Sequence, residues 1–166
     1  MPTLLHLDAS PRGDRSISRQ LTRDFAAAWK QTHPEGQIIY RDLGHDPVPL
    51  VTETFIAAVY TPPEARSPEL RATVATSDQL ISELKAATEY VFGVPMYNFS
   101  VPAGFKAYID QIVIPGRTYR IDESGNARIH NHTVPPGRPP FSYVFQALRA
   151  RLPSCSPSGT KKTNRD

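Results

Sequence analysis

Cysteine is almost missing from this chain of 166 residues: Cys155 stands alone, which excludes an internal disulfide framework. Long apolar runs are missing too. Mean hydropathy is −0.39, and no stretch approaches the roughly 20 apolar residues that a membrane-spanning helix needs. The opening MPTLLHLDASPRG has no basic segment ahead of its apolar one and turns polar too early for a secretory signal. A reducing, cytoplasmic location is the expectation. Neither G-x-G-x-x-G nor the G-K-[ST] of a P-loop occurs. The histidines do not cluster: His6 falls in a strand pattern, His33 and His45 are isolated, and His130 and His132 lack further ligands. Solvated surface roles are expected for them rather than a metal centre. Cys155 has no histidine partner pattern, so a catalytic thiol is not expected.

The chain carries a net charge of +3, but unevenly. Residues 1–130 hold 13 basic and 15 acidic side chains, a net −2, whereas residues 131–166 hold 6 and 1, a net +5. The basic character therefore belongs to the C-terminal segment, and the body gives no electrostatic reason to expect nucleic acid. The length fits one domain with a real core.

Three strand patterns stand out: Thr3–Asp8 (TLLHLD), Gln37–Asp42 (QIIYRD) and residues 90–94 (YVFGV). Helical patterns separate them. Ile17, Leu21, Phe25 and Trp29 recur every four residues and share one helix face; Leu70, Val74, Ile81 and Leu84 do the same, with Pro68 suited to the first turn. Val101, Phe105, Tyr108, Ile109 and Ile112 form a third stripe. Alternating strands and helices predict an α/β fold, a parallel sheet with helices on its faces joined by right-handed crossovers. The long connection over residues 44–67 bears Pro47, Pro49, Pro62 and Pro63; a short helix over 52–60 is expected, lying across the surface.

Two constellations carry chemistry. The first, Ser10-Pro-Arg-Gly-Asp-Arg-Ser16-Ile17-Ser18, follows the first strand and opens the first helix. A helix N-terminus offers free N–H groups and partial positive charge, Gly13 permits a tight turn, and three hydroxyls can donate to phosphate oxygens. An N-cap role for Ser16 accounts for one serine but not for three and a glycine. The second constellation, Pro95-Met96-Tyr97-Asn98-Phe99, follows the third strand. Ligands of open parallel sheets bind beyond the carboxyl ends of the strands, so both segments fall at one edge. Met96, Tyr97 and Phe99 suit the wall of a planar ring, with Asn98 and backbone N–H groups at its polar rim; a packed turn accounts for them equally well.

The run V-P-M-Y-N-F-S-V-P, together with Ser10, Ser16 and Ser18, resembles the FMN-dependent NADH-azoreductase and NADH:quinone oxidoreductase family. LTRDFAAAW, YRDL, SDQLISELKAA and FKAYIDQIVIPGRTYR extend the likeness over residues 3–130. The resemblance implies a flavodoxin-like three-layer fold with parallel strand order 2-1-3. It implies bound FMN and a homodimer. The activity implied is a ping-pong transfer of two electrons from NADH to quinones and azo compounds. Ser10, Ser16, Ile17 and Ser18 would hold the phosphate side of FMN, and Met96, Tyr97, Asn98 and Phe99 would line its ring. Arg117, Thr118 and Tyr119 would sit near the dimer-facing side. The chemistry would be the cofactor's, so no catalytic acid, base or nucleophile is assigned. A flavodoxin-like electron carrier and an inactive truncated product are the alternatives.

The likeness fades after residue 130. The family's fourth strand and its S-R-G-G flavin loop have no counterpart in TVPPGRPPFSYVF. Residues 131–166 read as a Pro/Arg-rich tail, disordered by composition over 153–166, with Phe141, Phe145, Leu148 and Leu152 at the spacing of a short amphipathic helix. Without further strands the third strand would be an open edge. A shifted or truncated reading frame near codon 131 is the expectation. Reading the gene in all three frames there should then recover a β-rich run followed by S-R-G-G; a tail native to this protein would show neither.

Overall fold

In the computed structural model, residues 1–121 and 127–129 are described, with side chains up to residue 120. The expectations for residues 131–166, including Cys155 and the stretch 141–152, and for His130 lie outside the described residues.

Strand β1, Thr3–Asp8, is buried along its whole length. A strand apolar or satisfied on both faces belongs in the middle of a parallel sheet, and β1 is there. It pairs in parallel with β2, Gln37–Asp42, from Thr3↔Gln37 to Asp8↔Asp42. On its other side it pairs in parallel with β3, Glu89–Gly93, from Leu4↔Glu89 to Asp8↔Gly93. The order is β2-β1-β3, as the resemblance implied, with β3 one residue earlier than the pattern. Among the described residues β3 has no ladder partner besides β1.

Alternation along β1 sends its side chains to two layers. Leu4 packs with Ala26 and Trp29 of α1, Ile17–Thr32, while Asp8 is bonded by Thr22 of the same helix. Leu7 and Ala9 face the other way, onto Leu80 of α3, Pro68–Ala86, and Tyr108 of α4, Ala103–Ile112. Helix α2, Glu53–Tyr60, adds Phe55 and Ala58 to a second cluster with Val74, Ile81 and Ile114. The connection over 44–67 is therefore partly core rather than wholly surface. Side-chain oxygens of Ser16, Thr52 and Ser67 cap α1, α2 and α3, each accepting an N–H three residues on. No helix among the described residues is long and apolar enough to cross a membrane.

The buried face of α1 is rotated from the expected stripe and shares only Trp29 with it. Its buried residues are Arg19, Thr22, Ala26 and Trp29, whereas Ile17 is 73% exposed and Leu21 and Phe25 also reach the surface. The sheet beneath the first turns of α1 ends in carboxylates, so the helix turns polar groups inward there. His6 also departs from the expected surface role. It is buried on β1, where both sheet faces are covered, with Nε2 3.3 Å from Asp8. His33 stacks on Trp29 at 4.6 Å. After α4 a short antiparallel pair appears that the sequence patterns did not flag: β4, Tyr119–Ile121, with β5, Ala127–Ile129.

The rotated helix face predicts unequal substitutions. Trp29→Ala should cost about 3–5 kcal/mol as a buried aromatic, and Leu21→Ser at the surface about 0.5 kcal/mol or less. Urea unfolding midpoints check both; equal losses would contradict this orientation of α1.

Candidate functional site

The loop leaving β1 is shaped by one glycine and closed by one serine. Gly13 adopts φ +56°, a left-handed conformation open to glycine at little cost, and starts a single 3-10 turn, Gly13–Arg15. The Ser16 N–H returns to the Gly13 carbonyl at 3.1 Å, and the Ser16 hydroxyl caps α1 through the Arg19 N–H. Ser16 Oγ also lies 3.0 Å from Ser18 Oγ. Ser10 is buried; its Oγ accepts the Arg12 N–H at 3.3 Å and approaches the Tyr97 hydroxyl at 3.5 Å. That last contact joins the two loops across the sheet edge. Between them lies a cleft of about 300 Å³ lined by Ser10, Ser16, Ile17 and Ser18 on one side and Pro95, Met96 and Tyr97 on the other, with Arg12 at its edge.

Asn98 and Phe99 do not line this cleft. They form the corner of a tight two-residue turn in which Tyr97 and Ser100 exchange both backbone hydrogen bonds at 2.9 Å. Both corner residues have positive φ, +49° and +63°, and Phe99 is 96% exposed. An aromatic side chain held in the left-handed region and offered to solvent is a strained arrangement of the kind found at ligand sites.

Behind the serine loop sits a buried polar cluster. Asp8, at the end of β1, accepts from Thr22 Oγ1 at 2.7 Å and from the Tyr40 hydroxyl at 3.1 Å. The Arg19 guanidinium donates to Asp42 with both terminal nitrogens, to the Tyr40 hydroxyl at 3.1 Å, and through Nε to the Ser10 carbonyl at 2.7 Å. Space around it is minimal: a Cβ on Gly93 would stand 2.3 Å from Asp8 Oδ1.

Arg117, Thr118 and Tyr119 lie elsewhere. Arg117 pairs with Asp78 of α3, and Thr118 donates to the Ile112 carbonyl, which fixes the exit of α4. Tyr119 lines a second groove of about 300 Å³ with Phe55, Tyr60, Ile109 and Val113.

Comparison with known proteins gives the family and the fold. A family described as having the flavodoxin-like fold matches residues 2–134. An FMN-dependent NADH:quinone oxidoreductase of Trichormus variabilis is 48% identical over 92% of this chain and 80% of its own length. Another protein of that name, from Nostoc punctiforme, is 55% identical over 75% of this chain and 61% of its own. This chain belongs to the flavodoxin-like FMN-dependent NADH:quinone oxidoreductase family. The crystal structure of an FMN-dependent NADH-azoreductase from Bacillus anthracis, in complex with FMN, superposes on this family member with a TM-score of 0.69. It is 25% identical, over 78% of this chain and 63% of that one. The match to the Trichormus variabilis relative, at 92% of the chain, extends past residue 130, where the resemblance read from the sequence faded.

In this flavodoxin-like chain the cleft unites six of the eight residues expected at the site. It adds Arg12 and Pro95, both inside the quoted motifs but not assigned there. The polar cluster was not anticipated. Its signal was available as Asp8 and Asp42 ending two parallel strands, with Arg19 and Thr22 three residues apart on α1.

The cluster's electrostatics make a prediction. Burial alone raises the Asp42 carboxyl pKa, but hydrogen bonds from Arg19 and His45 outweigh it and hold the group well below the usual carboxylate range. Burial likewise pushes Asp8 up, and His6, Thr22 and Tyr40 together bring it below its ordinary value. Tyr40, partly desolvated and facing the Asp8 charge, is pushed up to about 12. A carboxylate with a depressed folded pKa stabilises the fold above its unfolded pKa of about 4 and loses that contribution as pH falls through the folded value. Melting temperature should therefore drop steeply between about pH 4 and pH 2, and Asp42→Asn should flatten that acid limb. Parallel curves for the two proteins would contradict the assignment.

Proposed function

We propose that the chain binds FMN in the serine cleft and passes two electrons from NADH to quinones and azo compounds. The observation that carries this reading is the single cleft joining the serines after β1 to Met96 and Tyr97 after β3. The relatives' names add weight: they are FMN-dependent NADH:quinone oxidoreductases.

The residues present fit the cofactor. At the phosphate end, Ser10, Ser16 and Ser18 supply hydroxyls, and the first turn of α1, at Ile17 and Ser18, supplies backbone N–H groups and the positive end of the helix dipole. Arg12 supplies the one formal positive charge among the lining residues. At the ring end, Met96 and Tyr97 form the apolar wall. The turn uses the N–H groups of Tyr97 and Ser100 for itself, so the Asn98 amide and the backbone N–H groups of Asn98 and Phe99 are the donors left for the ring's polar rim. Bound FMN supplies the two-electron relay between NADH and the acceptor, so no protein nucleophile or acid–base residue is assigned. The chain's own part is to hold, orient and shield, because hydride transfer needs reacting atoms within about 3–3.5 Å.

A homodimer in the cytoplasm completes the reading. Val51, Ile56, Tyr60 and Val113 are exposed beside the second groove and give another copy an apolar face to cover.

The test is to express residues 1–166, add FMN and follow NADH oxidation with a simple quinone. FMN-dependent turnover above that of free FMN is expected, and its absence would remove the oxidoreductase reading. Ser16→Ala with Ser18→Ala should weaken FMN binding by about tenfold or more per hydroxyl, as hydrogen bonds to a charged group are worth roughly 1.5–3 kcal/mol each. Unchanged FMN retention after dialysis of the double variant would take these serines out of the site.

A further inference from the structure

Arg19 does not line the cleft, yet it touches both ends of the serine loop. Its Nε donates to the carbonyl of Ser10 at 2.7 Å, and its backbone N–H is the one that the Ser16 hydroxyl caps, at 3.4 Å. The remaining guanidinium nitrogens are committed to β2, forked onto Asp42 and bonded to the Tyr40 hydroxyl. The side chain is 6% exposed. Gly44 packs against both partners: a Cβ there would lie 2.2 Å from the Ser10 oxygen and 2.8 Å from Arg19 Nη2. The Ser10 carbonyl is thus held by the Arg19 guanidinium, with the Gly44 backbone packed closely beside both.

The cluster's charge does not account for this arrangement. Arg19 is matched by Asp42 in a two-pronged pair, and Asp8 lies 3.9 Å from Nη1. Two carboxylates face one guanidinium, so the group directs no net positive field at the cleft. What remains is geometry. With its carbonyl drawn inward, Ser10 keeps its hydroxyl at the cleft, beside Tyr97.

We infer that Arg19 is a positioning residue for phosphate recognition: by tying the Ser10 carbonyl to the end of β2, its side chain sets the Ser10 hydroxyl for a phosphate monoester and so makes the chain prefer FMN to riboflavin. The inference rests on the cleft being the FMN site. It concerns the phosphate end alone and leaves the ring end, at Met96 and Tyr97, untouched.

Arg19→Lys separates geometry from charge. Lysine keeps the positive charge, but one ammonium cannot donate to the Ser10 carbonyl and also fork onto Asp42. The experiment titrates the full chain with FMN and with riboflavin, read by flavin fluorescence, and takes the ratio of the two dissociation constants. The natural chain should favour FMN. In Arg19→Lys that preference should fall by about tenfold, the worth of one well-placed hydrogen bond to a charged group, with riboflavin affinity holding within about twofold. An unchanged ratio overturns the inference, and so does an equal loss for both flavins, which would make Arg19 merely structural. If the natural chain itself does not favour FMN, the phosphate reading of the cleft fails first, and that outcome is distinct from the other two. Should Arg19→Lys lose its far-ultraviolet circular dichroism, Tyr40→Phe decides. It removes one Arg19 partner from a half-exposed position on β2 and should lower the ratio by a smaller factor; no change there overturns the inference.

Discussion

Asp8 closes the central strand with only 3% of its surface open to water, and a carboxylate in that position has to be met by donors. A buried charge left without them costs several kcal/mol. Thr22 donates from α1 and Tyr40 from β2, and His6 Nε2 lies 3.3 Å away on β1. Arg19 stands 3.9 Å away and links the group to Asp42 on β2. Much of the surrounding structure follows. The inward face of α1 must carry polar groups in its first two turns, so its apolar side chains Ile17 and Leu21 turn outward. Gly93 must lack a side chain to let the carboxylate sit where it does.

The same constraint prepares the site. All three parallel strands end at one edge, and the two that carry loops with chemistry, β1 and β3, are neighbours. The polar cluster binds the start of α1 to the ends of β1 and β2, so the serine loop is held at its base rather than left to fold over the surface. The loop after β3 is fixed differently, by the paired backbone bonds of Tyr97 and Ser100 with strained residues at the corner. One loop is rigid because of what lies beneath it, the other because of its own turn, and the Ser10–Tyr97 contact registers them against each other.

The strands and their order were readable because TLLHLD and QIIYRD are short, bounded runs and because the family likeness supplied the order. The helices α3 and α4 were readable from spacing, Pro68 from its fit to a first turn, and α2 only as a short helix expected within a long connection. The inward face of α1 was not. Ile17, Leu21, Phe25 and Trp29 repeat at helical spacing, and periodicity says nothing about which stripe meets the sheet when the sheet's edge is charged. His6 was misplaced for a related reason, since a polar residue on a central strand is buried by position rather than by preference. Motif chemistry named six residues that the structure brings together in one cleft, Ser10, Ser16, Ile17, Ser18, Met96 and Tyr97. The turn that puts Asn98 and Phe99 at its corner and leaves Phe99 96% exposed was not readable, because residue type alone does not reveal a two-residue turn. The β4–β5 pair escaped notice because three-residue strands leave too little pattern to see.

The central claim is that the loops after β1 and β3 together form the FMN site. Hydrogen–deuterium exchange of the chain with and without FMN tests it most directly, since the amides of both loops are reported separately in one experiment. The account predicts slowed exchange on adding FMN in residues 10–19 and in residues 95–100, with little change across residues 51–60 of the second groove. Slowing confined to residues 51–60, or none in either loop at saturating FMN, would contradict it.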